Sequence, residues 1–212
     1  MPIVERINTK VGILGIWKLS ESVPDLISKF NFSEKEKEEF NKIRADKRKT
    51  EYLATRLLLR NLLNEKFEIQ YLESGQPILK NVQKNVSISH SANFAVVLLS
   101  DHKIGVDVEN TLRNIEKIAN RFLHEQELAH LESLKNSQAG KILFWSAKEA
   151  IFKCTEKQNI QFNEQIFIHA FEIKNEGHCT GTLTSNNTKT NYNLWYFFYE
   201  NNVIVYCVEL VN

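Results

Sequence analysis

The sequence predicts an α+β protein, on three observations. Apolar residues recur at helical spacing over long stretches, including residues 46–66 and 114–157. Short apolar runs bounded by turn residues flank those stretches. From residue 166 onward four strand-like runs follow one another with polar turns and no helix-length crossover, so antiparallel pairing is expected. The composition suits a folded domain: 42% of the 212 residues are hydrophobic and 25% charged, while only 7 Gly and 3 Pro argue against a disordered or collagen-like chain.

Residues 1–19 mix Val, Ile, Leu and Trp with polar residues and read as strand-rich. Asn31-Phe32-Ser33 opens a charged helix that runs to about Ile43, with Ser33 and Glu36 at capping-box spacing. A second helix runs from about Asp46 to Lys66 on the stripe Leu53, Leu57, Leu58 and Leu62. Gly75-Gln76-Pro77 signals a turn. Residues 86–89 and 93–99 read as strands, and Phe94-Ala95-Val96-Val97-Leu98-Leu99 suits a strand buried on both faces. After the turn Ser100-Asp101-His102 comes a short strand over 104–109. Residues 114–157 read as helical. Strands are expected over 166–173, 180–184, 192–199 and 203–210, with Gly177 and the polar tract 184–191 supplying turns. Strands and helices thus occur on both sides of a seam near residues 100–103, dividing the chain into 1–100 and 101–212. No repeat at a fixed period appears, and the pattern leaves open whether the halves are alike.

With 27 Lys+Arg against 26 Asp+Glu, the net charge of +1 gives no global basic footprint for nucleic acid. The longest apolar runs fall short of the roughly 18 residues of a membrane-crossing helix, and residues 1–10 lack the layout of a signal peptide. Cys154, Cys179 and Cys207 are scattered, without zinc spacing or a disulfide framework. A cytoplasmic protein with no membrane or nucleic-acid partner is the expectation.

In Ile104-Gly105-Val106-Asp107-Val108-Glu109, strand alternation sends Ile104, Val106 and Val108 to one face and Gly105, Asp107 and Glu109 to the other. Two carboxylates two positions apart repel unless a cation lies between them, which a hard divalent ion with oxygen ligands would satisfy. Gly105 leaves room for a ligand near the backbone. A solvated acidic face is the commoner use of such a strand. Over 143–154, Leu143, Ala147, Ala150, Ile151 and Cys154 form an apolar helical stripe, with Trp145, Glu149 and Lys153 opposite at i, i+4 and i+8. An exposed Glu–Lys pair explains Glu149 and Lys153 but not Trp145, which suits a covered site. Ser89-His90-Ser91 at a strand end suits phosphate oxygens or a structural histidine. Lys49, Arg56 and Arg60, with Arg48 nearby, suit an anion cradle or a solvated helix face.

Taken together and in order, Gly75-Gln76-Pro77, Ser89-His90-Ser91, Gly105-Val106-Asp107-Val108-Glu109, Arg121-Phe122-Leu123-His124-Glu125-Gln126-Glu127 and Trp145-Ser146-Ala147-Lys148-Glu149-Ala150-Ile151-Phe152-Lys153 resemble the 4′-phosphopantetheinyl transferase superfamily, in its larger two-half, surfactin-synthetase-activating form. The resemblance implies two similar α/β halves related by a pseudo-twofold, each a small, mainly antiparallel sheet packed with helices. The second half would carry the metal ligands, with coenzyme A in the cleft between the halves. It implies transfer of the 4′-phosphopantetheine arm of coenzyme A to a serine of an apo acyl or peptidyl carrier protein, releasing adenosine 3′,5′-bisphosphate, by a monomer. By resemblance Asp107, Glu109 and Glu149 would hold Mg²⁺. Glu149, directly or through a metal-bound water, would be the general base, and Lys153 would neutralise the leaving group. Arg48, Arg56, Gly75, Gln76, Pro77, Ser89 and His90 would bind coenzyme A. Two departures stand out: Gln76 replaces a basic residue of the family's pattern, and Arg48 or Lys49 could fill the same position on the basic helix. A metal-dependent nuclease and a non-catalytic coenzyme A-binding module are the alternatives; neutral charge and motif order speak against the first, and an intact Asp107, Glu109, Glu149 and Lys153 against the second.

Overall fold

Two antiparallel sheets carry the chain in the computed structural model, which describes residues 4–63, 65–134, 137–155 and 157–210. The first part runs through β1 (Val4–Asn8), β2 (Ile13–Lys18), α1 (Val23–Ser28), α2 (Glu34–Asn41) and α3 (Asp46–Leu62). A small hairpin, β3 (Glu68–Tyr71) and β4 (Pro77–Lys80), precedes β5 (Asn85–His90) and β6 (Phe94–Ser100). The second part starts with β7 (Ile104–Asn110) and a 3₁₀ turn over Glu116–Ile118. It continues through α4 (Ala119–Phe122), α5 (Glu125–Glu132), α6 (Ser137–Cys154) and α7 (Phe162–Gln165), and ends in β8 (Ile166–Ile168), β9 (Glu176–Ser185), β10 (Thr188–Tyr199) and β11 (Asn202–Glu209). The fold is α+β.

The first sheet has the order β1-β2-β6-β5 and the second β7-β11-β10-β9-β8. Both are wired alike. The strand that enters the helical segment (β2 or β7) pairs with the last strand of its sheet (β6 or β11), which pairs with the strand before it (β5 or β10).

Local chemistry explains most boundaries. Ser33 accepts from the Glu36 N–H while Glu36 reaches back to the Ser33 N–H, the capping box expected from their spacing. The same reciprocal pattern at Ser22 and Asp25 starts α1, a helix too short for its periodicity to register. Gly75 turns the β3–β4 hairpin with φ of +83°. The sequence reading had the turn but not the two short strands beside it. Three other expectations are corrected. β8 is three residues long rather than spanning 166–173. Gly177 makes no turn: it lies inside β9, where a Cβ would come 2.7 Å from the Tyr196 hydroxyl. The turn between β9 and β10 falls within the polar tract 184–191, as expected, and is made by Asn186 and Asn187, both at positive φ. The helical reading of 114–157 resolves into a 3₁₀ turn and three helices, with the 18 residues of α6 as the long one.

The pleats sort the core into layers. Leu53, Leu58 and Leu62 of α3 pack on Trp17, Ala95, Val97 and Leu99 of the first sheet. Leu143, Ala147, Ala150 and Ile151 of α6 pack on Val203, Val205 and Cys207 of the second. Between the sheets lies a third core, in which Leu14, Ile16, Val96 and Leu98 meet Val106, Val108, Ile204 and Tyr206. β6 is therefore buried at every position, as its unbroken apolar run predicts. At one border β5 and β7 lie edge to edge. There Ser87 Oγ accepts from the Val106 N–H at 2.9 Å and Ser89 Oγ from the Val108 N–H at 3.3 Å. Side-chain hydroxyls stitch this seam, and the candidate site opens along it.

Candidate active site

On β7 the predicted alternation holds: Val106 and Val108 enter the inter-sheet core, and Asp107 and Glu109 turn toward α6. Gly105 is where α6 comes down on the strand. A Cβ there would lie 1.8 Å from the Ala150 carbonyl oxygen. The room expected for a ligand at Gly105 is thus filled by helix backbone, and that close approach aims one side of α6 at the carboxylates.

Asp107 is buried and held at both oxygens. Its Oδ1 accepts from Ser89 Oγ at 2.8 Å and Lys153 Nζ at 2.7 Å, and its Oδ2 from Ser146 Oγ at 2.8 Å. Ser89 also accepts from Lys153 Nζ at 2.8 Å. With the Val108 N–H already on it, its single proton and both lone pairs are committed. Glu109 Oε1 accepts from Trp145 Nε1 and Arg113 Nη1, each at 2.8 Å. Trp145, Glu149 and Lys153 therefore do share the covered face of α6. The puzzle of an aromatic on a polar stripe is resolved by its indole N–H holding Glu109.

Glu149 differs from the other two carboxylates, because no hydrogen bond among the described residues engages it. Burial first, and then the neighbouring Asp107 carboxylate, push its carboxyl up to about 7, against the opposing pull of Lys153. Among the described residues no three His, Cys, Asp or Glu side chains are already drawn together as a metal ligand set; Lys153 and Arg113 hold Asp107 and Glu109 instead. The donor set nevertheless fits a hard divalent cation. Asp107, Glu109 and Glu149 offer oxygen only, their mutual repulsion registers on Glu149, and Glu109 Oε2 is engaged by none of the described residues.

Two concavities flank this centre. One, of about 240 Å³, is lined by Gly75, Gln76, Pro77, Glu149, Phe152 and Lys153. Gln76 Nε2 donates to the Lys153 carbonyl at 3.4 Å, so the hairpin turn is tied to the end of α6. The other, of about 340 Å³, is lined by Arg48, Thr55, Arg56, Tyr71 and His90 among others. His90, on the opposite pleat of β5 from Ser89, shares a 2.7 Å hydrogen bond with Thr55 Oγ1. Burial, helped by Lys153 and Arg48, depresses its imidazole to about 4.

The basic helix is less open than an anion cradle requires. Arg56 is buried 3.1 Å from Glu39 and stacks over Tyr52. Arg60 binds Glu36 at 2.9 Å, and exposed Arg48 binds Glu51 at 2.8 Å. Arg48 and Arg56 reach the second concavity already paired with carboxylates. Sequence reasoning missed Ser146, Arg113 and Thr55. Ser146 lies off the 145/149/153 stripe, Arg113 sits in a turn beyond β7, and neither carries a spacing signal. It also left Lys148 without a role: this lysine is fully buried 2.7 Å from Glu127 and donates to the Phe162 and Ile166 carbonyls.

The fold and site define an α+β protein with a carboxylate–lysine centre at the seam of two sheets. The family model of the 4′-phosphopantetheinyl transferase superfamily matches residues 103–207, which include Asp107, Glu109, Glu149 and Lys153. A Synechocystis protein provisionally named a 4′-phosphopantetheinyl transferase is 34% identical over 116 residues, 50% of this chain and 47% of that one. A 4′-phosphopantetheinyl transferase of Aneurinibacillus migulanus is 33% identical over 99 residues, 46% of this chain and 41% of the relative. One of Nostoc is 31% identical over 120 residues, 49% and 51% of the two chains. The chain thus spans about half the length of the curated relatives it matches, and it belongs to the 4′-phosphopantetheinyl transferase superfamily.

Proposed function

We propose that this protein transfers the 4′-phosphopantetheine arm of coenzyme A to a serine hydroxyl of an apo acyl or peptidyl carrier protein, releasing adenosine 3′,5′-bisphosphate. The observation that carries the reading is the convergence of Asp107, Glu109, Glu149 and Lys153 where α6 crosses β7, inside the segment that matches the family model. In the reaction the serine oxygen bonds to the phosphorus bearing pantetheine, the anhydride P–O bond breaks, and adenosine 3′,5′-bisphosphate leaves with the electron pair. Asp107, Glu109 and Glu149 would hold Mg²⁺, which supplies charge neutralisation at the diphosphate. Glu149, the one of the three carboxylates that no described residue hydrogen-bonds, would take the serine proton, directly or through a water. Lys153, whose ammonium lies on Asp107 and whose side chain is 27% exposed, would offset charge on the leaving group. The Gly75-Gln76-Pro77 turn borders one of the two concavities proposed for coenzyme A, and Arg48, Arg56 and His90 border the other; Ser89 lines neither, its hydroxyl being engaged by Asp107 and Lys153.

His90, held near 4 by burial in the free protein, is a neutral hydrogen-bonding group at pH 7 before an anion arrives. The halves 1–100 and 101–212 would meet at the β5–β7 seam, and the proposed coenzyme A cleft would be made of the two concavities beside it. All the residues of the centre come from one chain, so a monomer suffices. No helix among the described residues is long and apolar enough to cross a membrane. The three cysteines are free and buried, which suits the cytoplasm.

The test is intact mass spectrometry of a panel of apo carrier proteins incubated with this protein, coenzyme A and Mg²⁺, with an EDTA control. A gain of one phosphopantetheine arm that EDTA abolishes is the expected result. Coenzyme A binding without transfer to any carrier would favour a non-catalytic module. Neither binding nor transfer, with Mg²⁺-dependent nicking of plasmid, would favour the nuclease reading.

A further inference from the structure

We propose that Ser146 is a positioning residue for the cation site, setting the plane of the Asp107 carboxylate; the inference rests on the carboxylate–Mg²⁺ reading above. Ser146 is fully buried in the middle of α6. A serine inside a helix ordinarily returns its hydroxyl to a carbonyl one turn back or faces water. Here it donates across to β7, 2.8 Å from Asp107 Oδ2. Lys153 and Ser89 grip only Oδ1. Two holds on one oxygen leave the carboxylate free to swing about its own bond, and a third on the other oxygen fixes its plane.

The kind of donor matters as much as its position. Lys153 brings a positive charge that lowers the attraction of Asp107 for a second cation. The Ser146 hydroxyl brings none, and a carboxylate oxygen that accepts one hydrogen bond keeps a lone pair for a metal. Trp145, the preceding residue, also brings a neutral N–H to Glu109, though to the same Oε1 that Arg113 holds, with Oε2 left for a metal. Adjacent residues of α6 thus hold the two β7 carboxylates with neutral donors. Groups of this kind, one step out from a metal, typically change its affinity 10- to 100-fold.

Binding of Mn²⁺, followed by electron paramagnetic resonance on the purified full chain, tests the inference without catalysis. The comparison needs wild type, Asp107→Asn, Ser146→Ala and Ser146→Cys. Cysteine fills the buried space, with a slightly larger sulfur, but is a weak donor, so it separates the lost hydrogen bond from the lost packing. The expected result is Mn²⁺ binding by wild type, none by Asp107→Asn, and affinity at least about tenfold weaker in both Ser146 variants, with thermal midpoints that stay well above the assay temperature. Wild-type affinity in both Ser146 variants overturns the inference and leaves the carboxylate reading standing. Weakened binding in Ser146→Ala alone also overturns it, since packing would then be the cause. No Mn²⁺ binding by wild type overturns the inference and the carboxylate reading together.

Discussion

Lys153 Nζ lies 2.7 Å from Asp107 Oδ1, and the same ammonium donates to Ser89 Oγ at 2.8 Å, so one cation from α6 fastens the acidic strand of the second sheet to the edge strand of the first. Asp107 is the more buried partner. Lys153→Ala leaves it with two hydroxyl donors and no counter-charge. We expect transfer to a carrier protein to slow at least about a hundredfold, and stability to fall by about 1–3 kcal/mol, below the usual loss for a fully buried pair because part of Lys153 meets water. Initial rates by intact mass and urea unfolding measure the two effects. An unchanged rate would remove Lys153 from the chemistry.

The seat of α6 on β7 depends on a missing side chain. Gly105→Ala sets a methyl 1.8 Å from the Ala150 carbonyl oxygen and 3.0 Å from the Cys154 backbone nitrogen. Neither obstacle is a flexible side chain, so the helix must lift. A loss of about 3 kcal/mol or more is expected, at or beyond the upper end of ordinary overpacking. Because Glu149 and Lys153 ride on that helix, transfer should fall further than the loss of folded protein explains, when the rate is normalised to the folded fraction from circular dichroism.

These dependencies show where sequence periodicity stops. Asp107 and Glu109 were legible from a period of two, and Trp145, Glu149 and Lys153 from steps of four, because each pattern lives within one element. That the two sets face each other depends on where α6 crosses β7, which no local pattern states. The same limit hid Ser146, and it turned Gly105 from a helix seat into an expected ligand gap. Arg56 and Arg60 show the converse. Periodicity put them on one face correctly, but it could not say that Glu39 and Glu36 of α2 cover that face. The β3–β4 hairpin announced itself only through Gly75, since strands of four residues are too short for alternation to stand out.

Lys148 and Glu127 form an ion pair with no exposure on either side chain. Burial pulls the lysine below its usual range, and the glutamate pulls it back. Glu127 also accepts from the His124 and Ile168 N–H groups, so the pair ties α5, α6 and β8 together. Lys148→Met strands a buried carboxylate and should destabilise by about 3–5 kcal/mol in urea unfolding. A loss under about 1 kcal/mol would contradict the burial.

His90 has a folded-state pKa of about 4 against 6.5 for the free side chain. Above pH 6.5 it is neutral folded or unfolded and costs nothing. As pH falls from 6.5 to 4 the unfolded chain takes up a proton that the folded chain refuses, so stability drops, by about 3 kcal/mol in all, and then levels off. His90→Asn should flatten that stretch of the acid limb. Urea midpoints at half-unit steps from pH 7 to 4 measure it, and an equally steep variant would show that another group sets the slope.

Glu149 carries the opposite signature. Its carboxyl ionises near 4.5 when unfolded and near 7 when folded. As pH rises from 4.5 to 7 the unfolded chain releases a proton that the folded chain keeps, so stability falls by up to about 3 kcal/mol and then stays level. Glu149→Gln is neutral in both states and removes that slope. In EDTA the variant should match wild type near pH 4.5 and melt about 5–10 °C higher at pH 8. Its transfer rate should nevertheless drop at least about a thousandfold, because the substituted amide has no carboxylate to take the serine proton. Mg²⁺ should raise the melting midpoint of wild type at pH 8 more than that of the variant, since only wild type has all three carboxylates to offer. A variant no more stable than wild type at pH 8 would mean that burial and the neighbouring Asp107 do not raise the Glu149 carboxyl. A variant that keeps near-normal transfer would mean that Glu149 is not the base.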